Sequence, residues 1–238
     1  MRIVSIVGPK NSGKTSLTIK VIEELCDRGF KVASLKHSHH QLEMDHENTD
    51  TWKQKEAGSN LVVGVGSRTF FNVNESMPLE KILFLVKSIE EPDFFVIEGF
   101  KSYSYAKVCT HPEVEDDYTI ATVDSFTIDD KGLSDLVDII EEKSFDIINT
   151  LYTDECGYND GHLIAQAFAK GDLKYNDDNQ VDVNLNIDGI NIGLNDFVSD
   201  FIKKTILGSL KSLAIKEYGV KDFDKIELII NNKNKNQK

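Results

Sequence analysis

The stretch GPKNSGKTSL, residues 8–17, carries the most specific chemical pattern in the chain. Gly8 through Thr15 satisfy G-x-x-x-x-G-K-[ST], with an apolar run, RIVSIV, before it and a helical pattern after it. Glycines let the backbone curl so that successive N–H groups point at one phosphate, and the start of the following helix adds partial positive charge. Lys14 would reach the outer phosphates of a nucleoside triphosphate, and Thr15 would offer its hydroxyl to Mg²⁺. A second acidic group must hold that ion or its waters. Glu98 in FFVIEGF is the best placed, at a strand end where open α/β sheets gather their ligands; the plain alternative is a solvated glutamate. Lys101, three residues on, either approaches a phosphate or lies in solvent.

Four of the six histidines fall in KHSHHQLEMDHENTD, residues 36–50. His37, His39, His40 and His46 follow a predicted strand and so share the rim that carries the phosphate loop. Three readings stay open: metal binding, though no thiolate lies nearby to complete a zinc set; recognition of an anion by imidazole and Lys36; or an exposed polar loop. Asp45 either holds a water on Mg²⁺ or makes a turn.

The elements that must position these groups follow from periodicity. Strands are expected near Arg2–Val7, at 31–36, at 94–100 and at 118–123, with helices from Lys14 to Gly29, around DTWKQKEAG, from Pro78 and at 134–144. Two further apolar runs, LVVGV and RTFFNV, flank Gly66 and Ser67. Continuous apolar strands alternating with helices imply a mainly parallel sheet covered on both faces, an α/β P-loop NTPase fold over residues 1–150. Beyond 150 the pattern becomes alternating. QVDVNLNIDGINIGLN predicts a hairpin turning at Asp188-Gly189, followed by a helix capped by Asn195 with an apolar stripe of Phe197, Phe201, Leu207 and Leu210, and KIELII as a third strand. This gives a small α+β C-terminal domain over 151–232 and a disordered tail over 233–238.

The chain has 238 residues, 40% of them apolar, enough for a proper core. Its formal charge of −13 leaves no basic stripe for a nucleic acid, so an anionic ligand must be held by local groups. No apolar run is long enough to span a bilayer, and the three cysteines, Cys26, Cys109 and Cys156, suit reduced thiols; a cytoplasmic location is expected.

GPKNSGKTSL, KHSHHQLEMD, DTWKQKEAGS and FFVIEGFK, in this order and spacing, resemble the molybdopterin-guanine dinucleotide biosynthesis protein B family over roughly residues 1–125. The resemblance implies a homodimeric P-loop protein that binds GTP with Mg²⁺, hydrolyses it weakly at most, and works beside the molybdenum cofactor guanylyltransferase that joins GMP to molybdopterin. It assigns Gly8, Asn11, Ser12, Gly13, Lys14, Thr15 and Ser16 to GTP, and Glu98 and Asp45 to the neighbourhood of Mg²⁺. It also implies that His37, His39 and His40 contact an anion or a molybdopterin-type ligand; Lys36 and Lys101, read from the residues themselves, are the further candidates to face that ligand or the partner. Two departures stand out: Lys53 occupies a position where arginine is usual, losing the planar fork, and no N-K-x-D guanine-reading motif occurs in a suitable place.

The segment DECGYNDGHLIAQAFAKG weakly resembles cysteine motifs that carry iron–sulfur clusters, but Cys156 stands alone where about four thiolates are needed. The expected role is therefore assistance in forming the guanine dinucleotide cofactor, with residues 37–50 as the segment that would sense the γ-phosphate. The rivals are a nickel or zinc delivery GTPase using the His37 to His46 loop and a small-molecule kinase. Acidic protomers must pair through an apolar patch, and LVVGVGSRTFF is the segment best suited to it, although burial in the core is the expectation for most of its residues.

Overall fold

The computed structural model describes residues 1–38, 45–147, 157–158, 160–175, 183–187, 190–220 and 222–230. Five parallel strands form the central sheet in the order β2-β5-β1-β6-β7. They are β1 (Arg2–Val7), β2 (Val32–Lys36), β5 (Phe94–Glu98), β6 (Ala106–Cys109) and β7 (Thr119–Thr122). All six residues of β1 and all five of β5 are buried, as strands covered on both faces require.

Register matters for the site. β2 pairs with β5 so that Lys36 lies opposite Glu98, and β1 pairs with β6 so that Val7 lies opposite Cys109. With Ile6 of β1 opposite Glu98 as well, the carboxyl ends of four neighbouring strands, β2, β5, β1 and β6, meet at the loop that follows Val7.

Helix α1 (Lys14–Asp27) buries Leu17, Val21 and Leu25 against the sheet. Helices α2 (Asp50–Glu56), α3 (Leu79–Ile89) and α4 (Asp130–Lys143) follow as the periodicity predicts, α2 capped by Thr49 and α4 by Asp129. Arg28 stitches α1 to α4, donating to Glu24, Asp138, Glu141 and the Ser134 hydroxyl.

Several features depart from the periodicity. Strand β6 was not expected, because Lys107 interrupts its apolar run; that lysine is 1% exposed, ion-paired with Asp116 and set over the Tyr118 ring at 5.1 Å. Strands β3 (Leu61–Val65) and β4 (Thr69–Val73) form a separate antiparallel pair rather than joining the main sheet. Val62 is buried there, while Leu61, Val63, Val65, Phe70 and Phe71 are exposed, so most of LVVGVGSRTFF lies outside the core.

The other departures lie towards the C-terminus. Helix α5 (Gly161–Lys170), unmarked in the sequence, packs Ile164, Ala165, Phe168 and Ala169 into the same core as β1 and α4. The predicted boundary near 150 and the cysteine segment up to Cys156 lie outside the described residues. Strands β8 (Leu185–Ile187) and β9 (Ile190–Ile192) make the expected hairpin, and its Asp188-Gly189 turn lies outside the described residues. Helix α6 (Asp196–Lys211) begins at Asn195, whose side chain accepts from Val198 N, but its Phe197 and Phe201 are exposed instead of forming a core. KIELII forms no strand: Leu228, Ile229 and Ile230 stand in solvent. Among the described residues no helix is long and apolar enough to cross a membrane.

Candidate functional site

The loop after β1 wraps a cavity of about 440 Å³ lined by Lys10, Asn11, Ser12, Gly13, Lys14, Thr15, Glu98 and Phe126, within the size range of small-molecule sites. Asn11 and Gly13 both have positive φ, 62° and 72°, which turns the chain from strand into helix. Asparagine tolerates that conformation, and at Gly13 a side chain is barred twice over. A Cβ there would lie 2.1 Å from Ser125 Oγ.

Two residues outside the motif fix the loop. Thr110, just past β6, shares a 2.6 Å hydrogen bond with Ser12 Oγ, and Ser12 Oγ also lies 2.9 Å from Pro9 O. Ser125, just past β7, donates to Ser12 O at 2.6 Å. Gly8 fits beneath Thr110 so closely that a Cβ would stand 1.8 Å from its hydroxyl. The motif gave no sign of Thr110 or Ser125; a hydroxyl residue directly after a strand next to β1 is the signal that could have found Thr110, and no such signal marks Ser125.

Several charged groups converge at the mouth of the loop. Lys14 Nζ donates to Pro9 O at 2.5 Å, across the mouth of the loop. Thr15 Oγ1 donates to Glu98 Oε1 at 2.9 Å, and Lys36 Nζ lies 3.1 Å from the same oxygen. Burial pushes the Lys14 amine below its usual value; Glu98 opposes that shift, and Lys101 and Lys36 reinforce it. An acidic chain thus concentrates positive charge at one point, where a phosphate would be held.

The remaining groups are arranged differently. His37 donates its backbone N–H to Glu98 O at 2.9 Å and stacks its ring on Phe100 at 4.0 Å; Phe100 adopts a φ of 54°, strained for an aromatic residue. Ser16 is exposed on α1 and Lys101 is exposed beyond β5, neither lining the cavity. Asp45 serves the start of α2: it accepts from Thr49 Oγ1 at 2.8 Å and from His46 N at 2.9 Å. Hydroxyls of Thr49 and Thr51 hold its carboxyl below the usual carboxylate range. His39 and His40 lie outside the described residues. Among the described residues no three His, Cys, Asp or Glu gather as a metal site, and nothing there favours metal delivery.

A parallel sheet whose first strand runs into a glycine-bounded phosphate loop, with Lys14 and Thr15 opening the next helix and a carboxylate at the adjoining strand end, defines a P-loop nucleotide-binding protein. The family model for molybdopterin guanine dinucleotide synthesis protein B matches residues 3–130, and the chain belongs to that family. It is 31% identical over 145 residues to the molybdopterin-guanine dinucleotide biosynthesis adapter protein of Haemophilus influenzae, covering 56% of this chain and 81% of that one. A Methanocaldococcus jannaschii protein carrying the same adapter name is 29% identical over 225 residues, covering 90% of this chain and 92% of its own, so the similarity there extends through the C-terminal region. Among solved structures, Bacillus subtilis MobB superposes with a TM-score of 0.47 at 22% identity, covering 58% of this chain and 98% of that chain.

Proposed function

We propose that this chain binds GTP with Mg²⁺ in the P-loop cavity and acts, as a cytoplasmic homodimer, as an adapter in converting molybdopterin to its guanine dinucleotide form. The adapter role follows from the family to which residues 3–130 belong. The observation that carries the nucleotide reading is the junction of Thr15, Glu98 and Lys36 at the mouth of the phosphate loop.

A hydroxyl and a carboxylate 2.9 Å apart are hard oxygen donors suited to Mg²⁺, which keeps most of its waters and shares few protein ligands. Thr15 and Glu98 would hold it, and bound there the ion would supply charge that neutralises the phosphates. Lys14 would release Pro9 O to reach the outer phosphates, and the amides between Asn11 and Thr15 would cradle them. Lys36, Lys101 and the His37 ring, held by Phe100, would present the rim to the molybdopterin-type ligand or to the molybdenum cofactor guanylyltransferase. The exposed apolar residues of β3 and β4 supply the surface through which two acidic protomers would pair.

Reconstitution tests the reading: the guanylyltransferase, molybdopterin and Mg-GTP, with dinucleotide formation followed with and without this protein. Stimulation that disappears with Lys14→Ala is the expected result. An active transferase left unstimulated by the wild-type chain overturns it.

A further inference from the structure

Resting on the nucleotide reading above, we propose that Phe126 is the platform on which the base of the bound nucleotide stacks. Phe126 lines the same cavity as Lys14 and Thr15, and it supplies the aromatic surface of that lining. It is 73% exposed, a large apolar ring left in water beside a polar phosphate cradle. Packing does not account for that position, whereas a flat ligand laid across the ring would.

The turn that carries the ring is fixed before anything binds. Phe126 N donates to Asp124 Oδ1 at 2.9 Å and Ile128 N to Asp124 O at 3.1 Å, which closes a tight turn after β7. Ser125 ties that turn to the phosphate loop through its 2.6 Å bond to Ser12 O. The ring tip also reaches the loop itself: a Cβ at Gly13 would stand 3.3 Å from Phe126 Cζ. An aromatic on a fixed turn has a small ordering cost when a base lies on it, and its place follows from chain geometry. With the phosphates over the amides of residues 11–15, the nucleoside end of a triphosphate must leave the cradle along one of its walls. Among the described lining residues, Phe126 in the β7–α4 turn is the one with an aromatic face.

Stacking is indifferent to base identity, since every base has a π face. Phe126 therefore adds affinity without selecting guanine. Its partner in chemical terms is any nucleotide whose phosphates the loop accepts.

The test compares Mg-GTP with Mg-tripolyphosphate, a probe that has the phosphates and no base, by calorimetry on the full chain. Phe126→Ala is expected to weaken GTP about tenfold, the scale of one lost base–aromatic stack, while tripolyphosphate binds as before. Phe126→Trp should keep the GTP affinity, and its added indole fluorescence should be quenched by GTP and not by tripolyphosphate. Unchanged GTP affinity in Phe126→Ala overturns the proposal, as does an equal loss for both probes, which would mean that the turn props the phosphate loop. If the P-loop reading itself fails, the pattern is different: the wild-type chain binds neither probe, and both proposals fall together.

Discussion

Thr15 Oγ1 donates to Glu98 Oε1 at 2.9 Å, which ties the first turn of α1 to the end of β5, and Lys36 holds the same carboxylate oxygen from the end of β2 at 3.1 Å. The oxygen suited to a metal ion is therefore held by a hydroxyl and an ammonium until a cation competes for it. Glu98→Gln keeps the shape and removes the charge. The Mg²⁺-dependent part of GTP affinity is expected to fall about 10- to 100-fold, the range for altered groups at a metal site. Binding measured in EDTA should stay level or strengthen, because one negative charge has left the phosphates' surroundings. Equal losses with and without Mg²⁺ would make Glu98 a structural residue only.

The phosphate loop was legible because its chemistry is contiguous: backbone curl, lysine and hydroxyl all lie between Gly8 and Thr15. Lys36 and Glu98 were legible one at a time, as polar residues closing apolar strands, while their contact depends on β2 lying beside β5 in register, which spacing along the chain does not encode. Thr110, Ser125 and Phe126 carry no mark in the sequence because strand order alone brings the ends of β6 and β7 to the loop. Lys107 hid β6 for a related reason, since its charge is neutralised by Asp116 from beyond the strand. In the C-terminal region the apolar pattern of α6 predicted burial, and Phe197 and Phe201 are exposed, since an amphipathic stripe says which face is apolar and not whether anything covers it.

Gly8 and Thr110 are expected to be energetically coupled. Gly8→Ala forces a methyl into the space of the Thr110 hydroxyl, and overpacking of this kind costs about 1–3 kcal/mol. Thr110→Ala alone removes the hydrogen bond to Ser12, worth about 1 kcal/mol. In the double variant the added methyl gains room, although Ser12 Oγ still stands 2.7 Å from the Gly8 Cβ position. Urea unfolding should therefore give a double-mutant loss smaller than the two single losses added together. Strict additivity would mean that the loop relaxes away from Thr110 unaided.

Arg28 should resist even conservative replacement. Its guanidinium donates to Glu24 at 2.9 Å, to Asp138 at 2.6 Å and to Glu141 at 2.5 Å, with Ser134 contributing both its hydroxyl and its carbonyl. Asp138 is mostly exposed and adds little; the contacts to Glu24, Glu141 and Ser134 are better shielded. Arg28→Ala is expected to cost about 1–3 kcal/mol by urea unfolding. Arg28→Lys should lose most of the same amount, since an ammonium cannot serve acceptors spread over two helices in the plane of a fork. Full stability in Arg28→Lys would reduce the network to net charge alone.

Lys225 fastens the C-terminal segment to the end of α3, with Glu91 at 2.7 Å and Glu227 at 3.1 Å. Its hydrogen bond holds the Glu91 carboxyl below the usual 4.5, and Glu91 followed by Glu227 raises Lys225 above 10.5. For Glu91 the lowered value means that the contribution is present above 4.5 and lost as pH falls through the folded-state value. For Lys225 the raised value means that it is complete below 10.5 and lost as pH climbs through the folded-state value. The tether is thus intact from about pH 4.5 to 10.5 and fails on either side. Following the Glu91 carboxyl carbon by NMR in wild type and Lys225→Ala tests this directly, and the midpoint should move up in the variant. Trypsin cleavage after Lys225 at neutral pH should also quicken in Glu91→Gln and in high salt, because an exposed pair is screened. A Glu91 midpoint that ignores Lys225→Ala would leave the segment held by something other than this pair.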